Sequence, residues 1–589
     1  MFKNKIWYAG CMVLLALTTG CKKDKIVDNT GLINTGTNAT AMAVINTDKA
    51  FYAPGSEVKF TLDAALPAGA KVRYMTLGTV VDEANVSGTT WTWTAPATDF
   101  TGYMAELYGT DNGKEKVYST IAVDVSSNPA RFPRNGFLSA YGQISEGDMG
   151  AVMKNLNRYH LNYIQFQEWS YKHHMPLAGS VASPDPTWKD IASRDNYLTT
   201  VKGYIDMAHS YNMRTLSYNL AFGALNDAAQ DGVSEEWYLF KDENHGTKDL
   251  HPLGAPFKSS IWLTNPGNPQ WQNYIADKTN DAYEVFPFDG FQIDQLGNRG
   301  TLYSYSGSTV NLPLAYNSFI NAMKIAAPNK ALVMNAVNQY GKDQIAKAPV
   351  DFLYSEVWSP NESFKNLTDI IQENDALTGG QKKTVLAAYM NYDLANNTGY
   401  FNTPGVLLAD AAIFAFGGAH LELGEHMLGK EYFPNSNLKL RDDLKAALVS
   451  YYDFSVAYQN LLRDGGTFNS PGITTGDNRI KLNFWPPQSG QVSVIGKDFD
   501  NLQVIHLINM ANANSLNWRD ANGTQTAPVK FADARFNFAS AKTIKRIWMA
   551  SPDVDGGAVK EITYSQSGNA VTFTLPLLWY WDMIVVEYE

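Results

Sequence analysis

At 589 residues the chain is too long for one compact domain; at ~150 residues per domain it holds about three or four. Apolar residues make up 45% of it and charged residues 18%, below the usual ~25%, which excludes a largely disordered chain. A net charge of −11, from 47 Lys and Arg against 58 Asp and Glu, leaves no electrostatic basis for holding a polyanion, so nucleic acid is not an expected partner.

The N-terminus carries Lys3 and Lys5, an apolar run from Ile6 to Leu17, then the small residues Thr18, Thr19 and Gly20 before Cys21. The run is too short to span a bilayer, and Lys22, Lys23 and Asp24 follow at once, so an export signal is expected rather than a membrane helix. Small residues ending at a cysteine resemble a bacterial lipoprotein signal, residues 1–21, with Cys21 as the acylated first residue of the mature chain. Thr18 departs from that pattern, which prefers Leu there. The charged flank resembles that of lipoproteins displayed on the outer face of the outer membrane, and membrane contact is expected through this lipid only. Both cysteines, Cys11 and Cys21, lie in or beside the signal, so no intramolecular disulfide is expected. Residues 22–40 are polar and aperiodic, as in a flexible tether.

From 41 to 127, short β-rich runs such as SEVKFTL, KVRYMTLGTVV and TWTWTAP are separated by turn residues, which predicts an immunoglobulin-like β-sandwich. Trp91 and Trp93 share one strand face there, as core or as a sugar platform. Between 128 and 465, β-like runs alternate with helical segments. Eight are countable, beginning at Gly136, Tyr163, Arg214, Asp289, Ala331, Asp351, Thr384 and Ala419, the number of a (β/α)8 TIM barrel. A doubly wound sheet is the alternative, but no G-x-G-x-x-G follows an early strand. Runs such as IKLNFWP, LQVIHLIN and MIVVEYE return the chain to β over 466–589, a C-terminal antiparallel β-sandwich.

Barrel active sites form at the carboxyl ends of the strands. In FDGFQIDQLG, alternation puts Gly290, Gln292 and Asp294 on one side and Phe291 and Ile293 on the other, leaving Asp294 at the strand's end inside the mouth. It serves there as a reactive carboxylate or as a helix cap. In DFLYSEVW, Glu356 occupies the same position on its own strand, among aromatic residues that would raise its pKa, as a general acid or as part of a structural ion pair. Asp289, at the opposite strand end, points to stability. Two carboxylates from separate strand ends are the arrangement that glycoside hydrolysis requires. His173 and His174 are adjacent and His420 and His426 six apart, so no H-E-x-x-H spacing signals a metal; no G-x-S-x-G elbow is present, and the chemistry needs no cofactor.

The motifs RFPRNGF from Arg131, YIQFQEWSYKHHMPL from Tyr163, LSYNLAFGA from Leu216, FDGFQIDQLG, MNAVNQYG from Met334, YSEVW from Tyr354, HLELGEHMLGKEYFPN from His420 and LLRDG from Leu461 occur in that order. With them the sequence resembles glycoside hydrolase family 66, which comprises dextranases and cycloisomaltooligosaccharide glucanotransferases. The resemblance implies a retaining mechanism with Asp294 as nucleophile and Glu356 as acid/base. It also implies sugar contacts from Glu168, Trp169, His173, His174, Tyr218, Asn219, Asn335 and Trp358. Many members carry Asp where this chain has Glu168. The cyclising members carry an extra carbohydrate-binding module within the barrel region. Here a short segment joins the seventh and eighth strands, and the longest gap, 221–288, reads as loops and helix. Endo-hydrolysis of dextran to isomaltooligosaccharides is therefore expected; the alternatives are cyclisation and a non-catalytic surface glycan-binding lipoprotein.

Overall fold

The structure, a computed structural model, describes residues 41–589. The expected signal segment with Cys21 and the tether 22–40 lie outside the described residues.

Two antiparallel sheets come first. One has the order Ile45–Thr47, Glu57–Leu62, Thr90–Thr94; the other has the order Thr79–Asn85, Lys71–Thr76, Thr101–Asp111, Lys114–Val125. The strand EVKFTL alternates exposed and buried along its length, so Val58 and Phe60 share one core with Val72, Tyr74, Leu107 and Val123. Trp93 is buried in that core with its ring stacked on Tyr74 at 4.1 Å. Trp91 stacks on Phe60 at 5.0 Å and donates from Nε1 to the Tyr74 hydroxyl. Of the two readings of this tryptophan pair, the structure bears out core.

All eight expected runs of the central region form strands: β1 (Asn135–Leu138), β2 (Tyr163–Phe166), β3 (Arg214–Leu220), β4 (Gly290–Asp294), β5 (Ala331–Met334), β6 (Leu353–Glu356), β7 (Thr384–Ala387) and β8 (Ala419–His420). Every pairing among them is parallel, β1 to β5 in one sheet and β6 to β8 in another. Single parallel bridges, Asn335 to Tyr354 and Phe137 to Gly424, join the two sheets at both seams, so the strands follow one another around a ring. One helix follows each strand in turn: α1 (Glu146–Arg158), α2 (Leu198–Ser210), α3 (Pro269–Val285), α4 (Leu312–Ala326), α5 (Lys342–Lys347), α6 (Phe364–Thr378), α7 (Thr403–Ala415) and α8 (Asp442–Ala457).

Local chemistry fixes where these helices start. The side-chain oxygens of Ser145, Asn268, Asn311, Ser363 and Asn402 accept first-turn N–H groups of α1, α3, α4, α6 and α7, and proline occupies the first turn of α3, α4 and α7. Strand alternation then sorts the two faces. Phe291, Ile293, Leu332 and Met334 pack outward with Trp271, Ile275 and Phe319 of the helices. Tyr163, Leu216, Val333, Phe352, Tyr354 and Val385 fill the inside. Gly290 is required by proximity, since a Cβ there would lie 2.3 Å from the Ala331 carbonyl oxygen on β5.

The gap expected to hold only loops and helix also contains a small antiparallel sheet, ordered Gly223–Ala224, Ile261–Leu263, Leu250–His251. Strands of two and three residues are too short to register as alternation in a sequence. The C-terminal region packs a sheet built on Val492–Asp498, Leu502–Asn509, Trp581–Tyr588 and Ile544–Ala550 against a four-stranded one that includes Phe531–Ala539 and Ala570–Leu578, with Val494, Ile505, Phe536, Leu575 and Ile584 in the shared core. Buried polar contacts tie the regions together. Asp453 on α8 accepts both guanidinium nitrogens of Arg158 at 2.9 and 2.7 Å, meets His160 Nε2 at 2.7 Å, and accepts the backbone N–H of Ala122 from the N-terminal sheets at 2.9 Å.

Candidate active site

A cleft of about 500 Å3 opens at the carboxyl ends of the ring strands, lined among others by Gln165, Glu168, Tyr218, Asp294, Asn335, Glu356, Trp358 and Tyr389. Asp294 ends β4 and Glu356 ends β6, both on the inward register. Between them, at the end of β5, Asn335 donates from Nδ2 to Asp294 Oδ1 at 2.8 Å and to Glu356 Oε2 at 3.1 Å, while its Oδ1 accepts the Glu356 backbone N–H. One nitrogen bonded to both oxygens limits their separation to the sum of the two bonds, about 6 Å, below the ~6.5–9.5 Å of inverting carboxylate pairs.

The two carboxylates differ in what surrounds them. Asp294 accepts three hydrogen bonds, from the Tyr218 hydroxyl at 2.7 Å, from Asn335, and from the Gln295 N–H at 2.8 Å. Burial raises its pKa and these bonds pull it back. Glu356 accepts two, from the Tyr389 hydroxyl at 2.7 Å and from Asn335. Burial pushes its carboxyl up, the Asp294 charge adds to that, and the pKa stands raised to about 7. No cation figures among the groups acting on either carboxylate. Asp294 thus has more donors to favour its ionised form than Glu356 has, while Glu356 is the one raised to about 7, an asymmetry that suits acid-assisted nucleophilic displacement.

A third acid stands on the wall. Glu168 sits at a positive φ of 54°, and its Oε2 has no hydrogen-bond partner. Burial raises its pKa to about 8, the Asp190 and Asp294 charges adding to this against Arg194, so it is a neutral donor at physiological pH.

Of the residues expected to touch sugar, Glu168, Tyr218, Asn335 and Trp358 line the cleft. Trp169, His173, His174 and Asn219 lie behind that lining. Trp169 follows Glu168 on the opposite side of the chain and is 1% exposed, its ring against Phe286 and Phe288 at 5.3 and 5.0 Å. Asn219, one residue past Tyr218, points away from the cleft; its Oδ1 meets His173 Nδ1 at 2.8 Å and its Nδ2 donates to the His173 carbonyl. His174 Nε2 meets Asp231 at 2.8 Å, and Lys172 Nζ occupies the space between Asp227 and Asp231 at 2.7 and 2.6 Å. These residues back the wall rather than form it.

Sequence reading missed Tyr389, Gln165, Gln292 and Glu431 in the lining. Tyr389 was within reach of the alternation argument, since it continues the inward parity of Val385 and Ala387 past the end of β7. Arg519, from the C-terminal region, was not. It donates to the Val357 carbonyl at 2.8 Å and lies over the Trp358 ring at 5.1 Å, yet no local pattern marks it.

A family profile described as glycosyl hydrolase family 66 matches residues 47–585. The chain is 26% identical over 707 aligned positions to a cycloisomaltooligosaccharide glucanotransferase of Niallia circulans, covering 92% of this chain and 71% of that protein. It is 25% identical over 613 positions to a dextranase of Streptococcus salivarius, covering 90% and 71%. A solved structure of the Paenibacillus sp. cycloisomaltooligosaccharide glucanotransferase, complexed with cycloisomaltoheptaose, matches with a TM-score of 0.84 at 25% identity over 93% of this chain and 99% of that one. The matched profile takes in all three regions and the carboxylate-lined cleft of the central one: the chain belongs to glycosyl hydrolase family 66.

Proposed function

We propose that the protein is an endo-acting, retaining glycoside hydrolase that cleaves the α-1,6 linkages of dextran to isomaltooligosaccharides. In this reading the ring is a (β/α)8 barrel spanning 128–465, preceded by an immunoglobulin-like sandwich over 41–127 and followed by a β-sandwich over 466–589. The observation that carries it is the Asn335 amide bonded to both carboxylates, which supports a separation in the retaining range of ~5–5.5 Å. Asp294 attacks the anomeric carbon as Glu356 gives its proton to the linking oxygen; Glu356 then takes a proton from the incoming water, which breaks the glycosyl–Asp294 bond.

Cyclisation is the second reading, because proteins named for it stand among the relatives. It shares the covalent intermediate and differs in the acceptor. The alignments to the Niallia circulans transferase and to the dextranase run over 707 and 613 positions, both more than the 589 residues of this chain, so both proteins carry residues within the aligned region that it lacks, the transferase more of them. That difference supports hydrolysis. The sequence of the first 21 residues supports export and a lipid on Cys21, with the enzyme tethered outward from the outer membrane.

The test is digestion of high-molecular-weight dextran by the soluble chain from Lys22. Expected are rapid chain shortening, linear products, and α-anomers as the first species seen by NMR. First-formed β-anomers would overturn retention, cyclic products would move the assignment to the transferase, and intact dextran would sink the hydrolase reading. Labelled fatty acid incorporated by the native chain and lost in Cys21→Ala tests the anchor.

A further inference from the structure

Residues 510–530 connect two strands of the C-terminal region, Leu502–Asn509 and Phe531–Ala539, and the connection leaves that region to lie along the loops that follow β6 and β7. Its backbone is tied there on both sides. The Leu516 carbonyl accepts the Phe364 N–H, Trp518 donates from N and Nε1 to the carbonyls of Glu362 and Asn361, the Arg519 carbonyl accepts the Asn391 N–H, and the Ala521 carbonyl accepts those of Asp393 and Leu394. A connection held in this way is a built part of the cleft rim.

Arg519 is the member that reaches the residues lining the cleft. Its Nη2 donates to the Val357 carbonyl at 2.8 Å and its Nη1 to the Tyr389 carbonyl at 3.4 Å, the backbone position next to the general acid and that of the very tyrosine that bonds it. Its guanidinium lies 5.1 Å from the Trp358 ring, 5.2 Å from Tyr392 and 4.7 Å from Trp518, so one flat cation holds three rings by cation–π contact. Trp358 keeps a half-buried face toward the cleft, 5.4 Å from Tyr389 and edge-on to Tyr392 at 5.7 Å.

The side of the reaction this platform serves follows from the two carboxylates. Asp294, held by Tyr218 of β3, marks where the attacked sugar sits. Glu356 must reach the oxygen that joins this sugar to the next, and Trp358 with its supports lies beyond Glu356, next to Tyr389 and away from Tyr218. We propose that the Trp358 face is the platform for the departing glucose unit and that Arg519, supplied by the C-terminal region, is the positioning residue that fixes it. A sugar's C–H face stacks on an aromatic ring only when the ring is held in place, and here the clamp is a residue more than 150 positions further along the chain.

This inference rests on the glucan-hydrolase reading, and its test separates the two. Full-length wild type, Arg519→Lys and Arg519→Ala are compared on dextran and on an aryl α-isomaltoside, whose leaving group needs no sugar platform. Expected for Arg519→Ala is a fall in kcat/KM on dextran of ~10–100-fold, with a change below ~3-fold on the aryl substrate, and partial recovery on dextran in Arg519→Lys. Trp358→Ala should reproduce the same split without altering the loop. Equal losses on both substrates in Arg519→Ala and Trp358→Ala, or no loss on dextran in either, overturn the proposal while leaving the hydrolase reading intact. Wild type inert on both substrates removes that reading and the proposal with it.

Discussion

Asp453 is a buried carboxyl group of the central region and Glu356 a half-buried one, and they behave in opposite ways. Asp453, near the amino ends of the strands, faces Arg158 and His160; burial works to raise its pKa, but these partners outweigh it and hold the group below the ordinary carboxylate range. Glu356, at the carboxyl ends, has a carboxylate for its nearest charge and hydroxyl and amide donors for company, and it rises to about 7. Burial is common to the two, so the counterion decides whether a buried acid stabilises the fold or is held ready to give up a proton.

The largest effects should come from breaking the cation-free pair. Asp294→Asn removes the proposed nucleophile and should lower kcat on dextran by more than ~10⁴-fold, measured as reducing-end release. Glu356→Gln should lower it by ~10²–10⁴-fold, with most of the loss recovered on aryl glycosides that leave without protonation. Asp453→Asn should leave the activity of the folded protein unchanged and instead cost ~3–5 kcal/mol in denaturant unfolding, because the Arg158 guanidinium stays buried without its counterion.

The sign of the pH dependence sharpens the contrast. The stabilisation from Asp453 is present above the ordinary carboxylate pKa and lost as pH falls through its depressed folded value. Glu356 runs the other way: the folded state holds its proton up to about pH 7, so stability declines as pH rises from the unfolded value toward 7. Glu356→Gln should therefore raise Tm at pH 8 by a few degrees, ~1 kcal/mol, where Asp453→Asn lowers it. Activity should fall on the alkaline side as Glu356 loses its proton near pH 7. Tyr389→Phe deletes a hydrogen bond that favours the ionised form, which should move that limb upward by about one pH unit or less in kcat/KM profiles. The smallest effect belongs to Glu168. Its carboxyl is already neutral at pH 7, so Glu168→Gln should stay within ~10-fold of wild type while Glu168→Ala loses more.

What the sequence made legible follows from how each signal is carried. The period-two alternation in FDGFQIDQ and DFLYSEVW is local, and it put Asp294 and Glu356 on the inward register where the structure has them. The same rule, applied one residue further, separates Glu168 from Trp169 and Tyr218 from Asn219, so that one member of each pair lines the cleft and the other lies behind it. The Asn and Ser caps and first-turn prolines that start several of the helices are equally local, a signal the alternation with strands left unused. The short sheet between β3 and α3 and the contribution of Arg519 had no local signal, because two-residue strands carry no period and a contact between positions 519 and 358 exists only after packing.

The rim segment around Arg519 also orders events in biosynthesis. Residues 510–530 leave the ribosome after every strand of the ring, and the ties from Leu516, Arg519 and Ala521 to the loops behind Glu356 and Tyr389 cannot form until they have emerged. A nascent chain that has already folded its catalytic ring therefore carries both carboxylates but lacks the finished cleft. On the role proposed for Arg519, full competence on dextran follows only after the final β region has been synthesised.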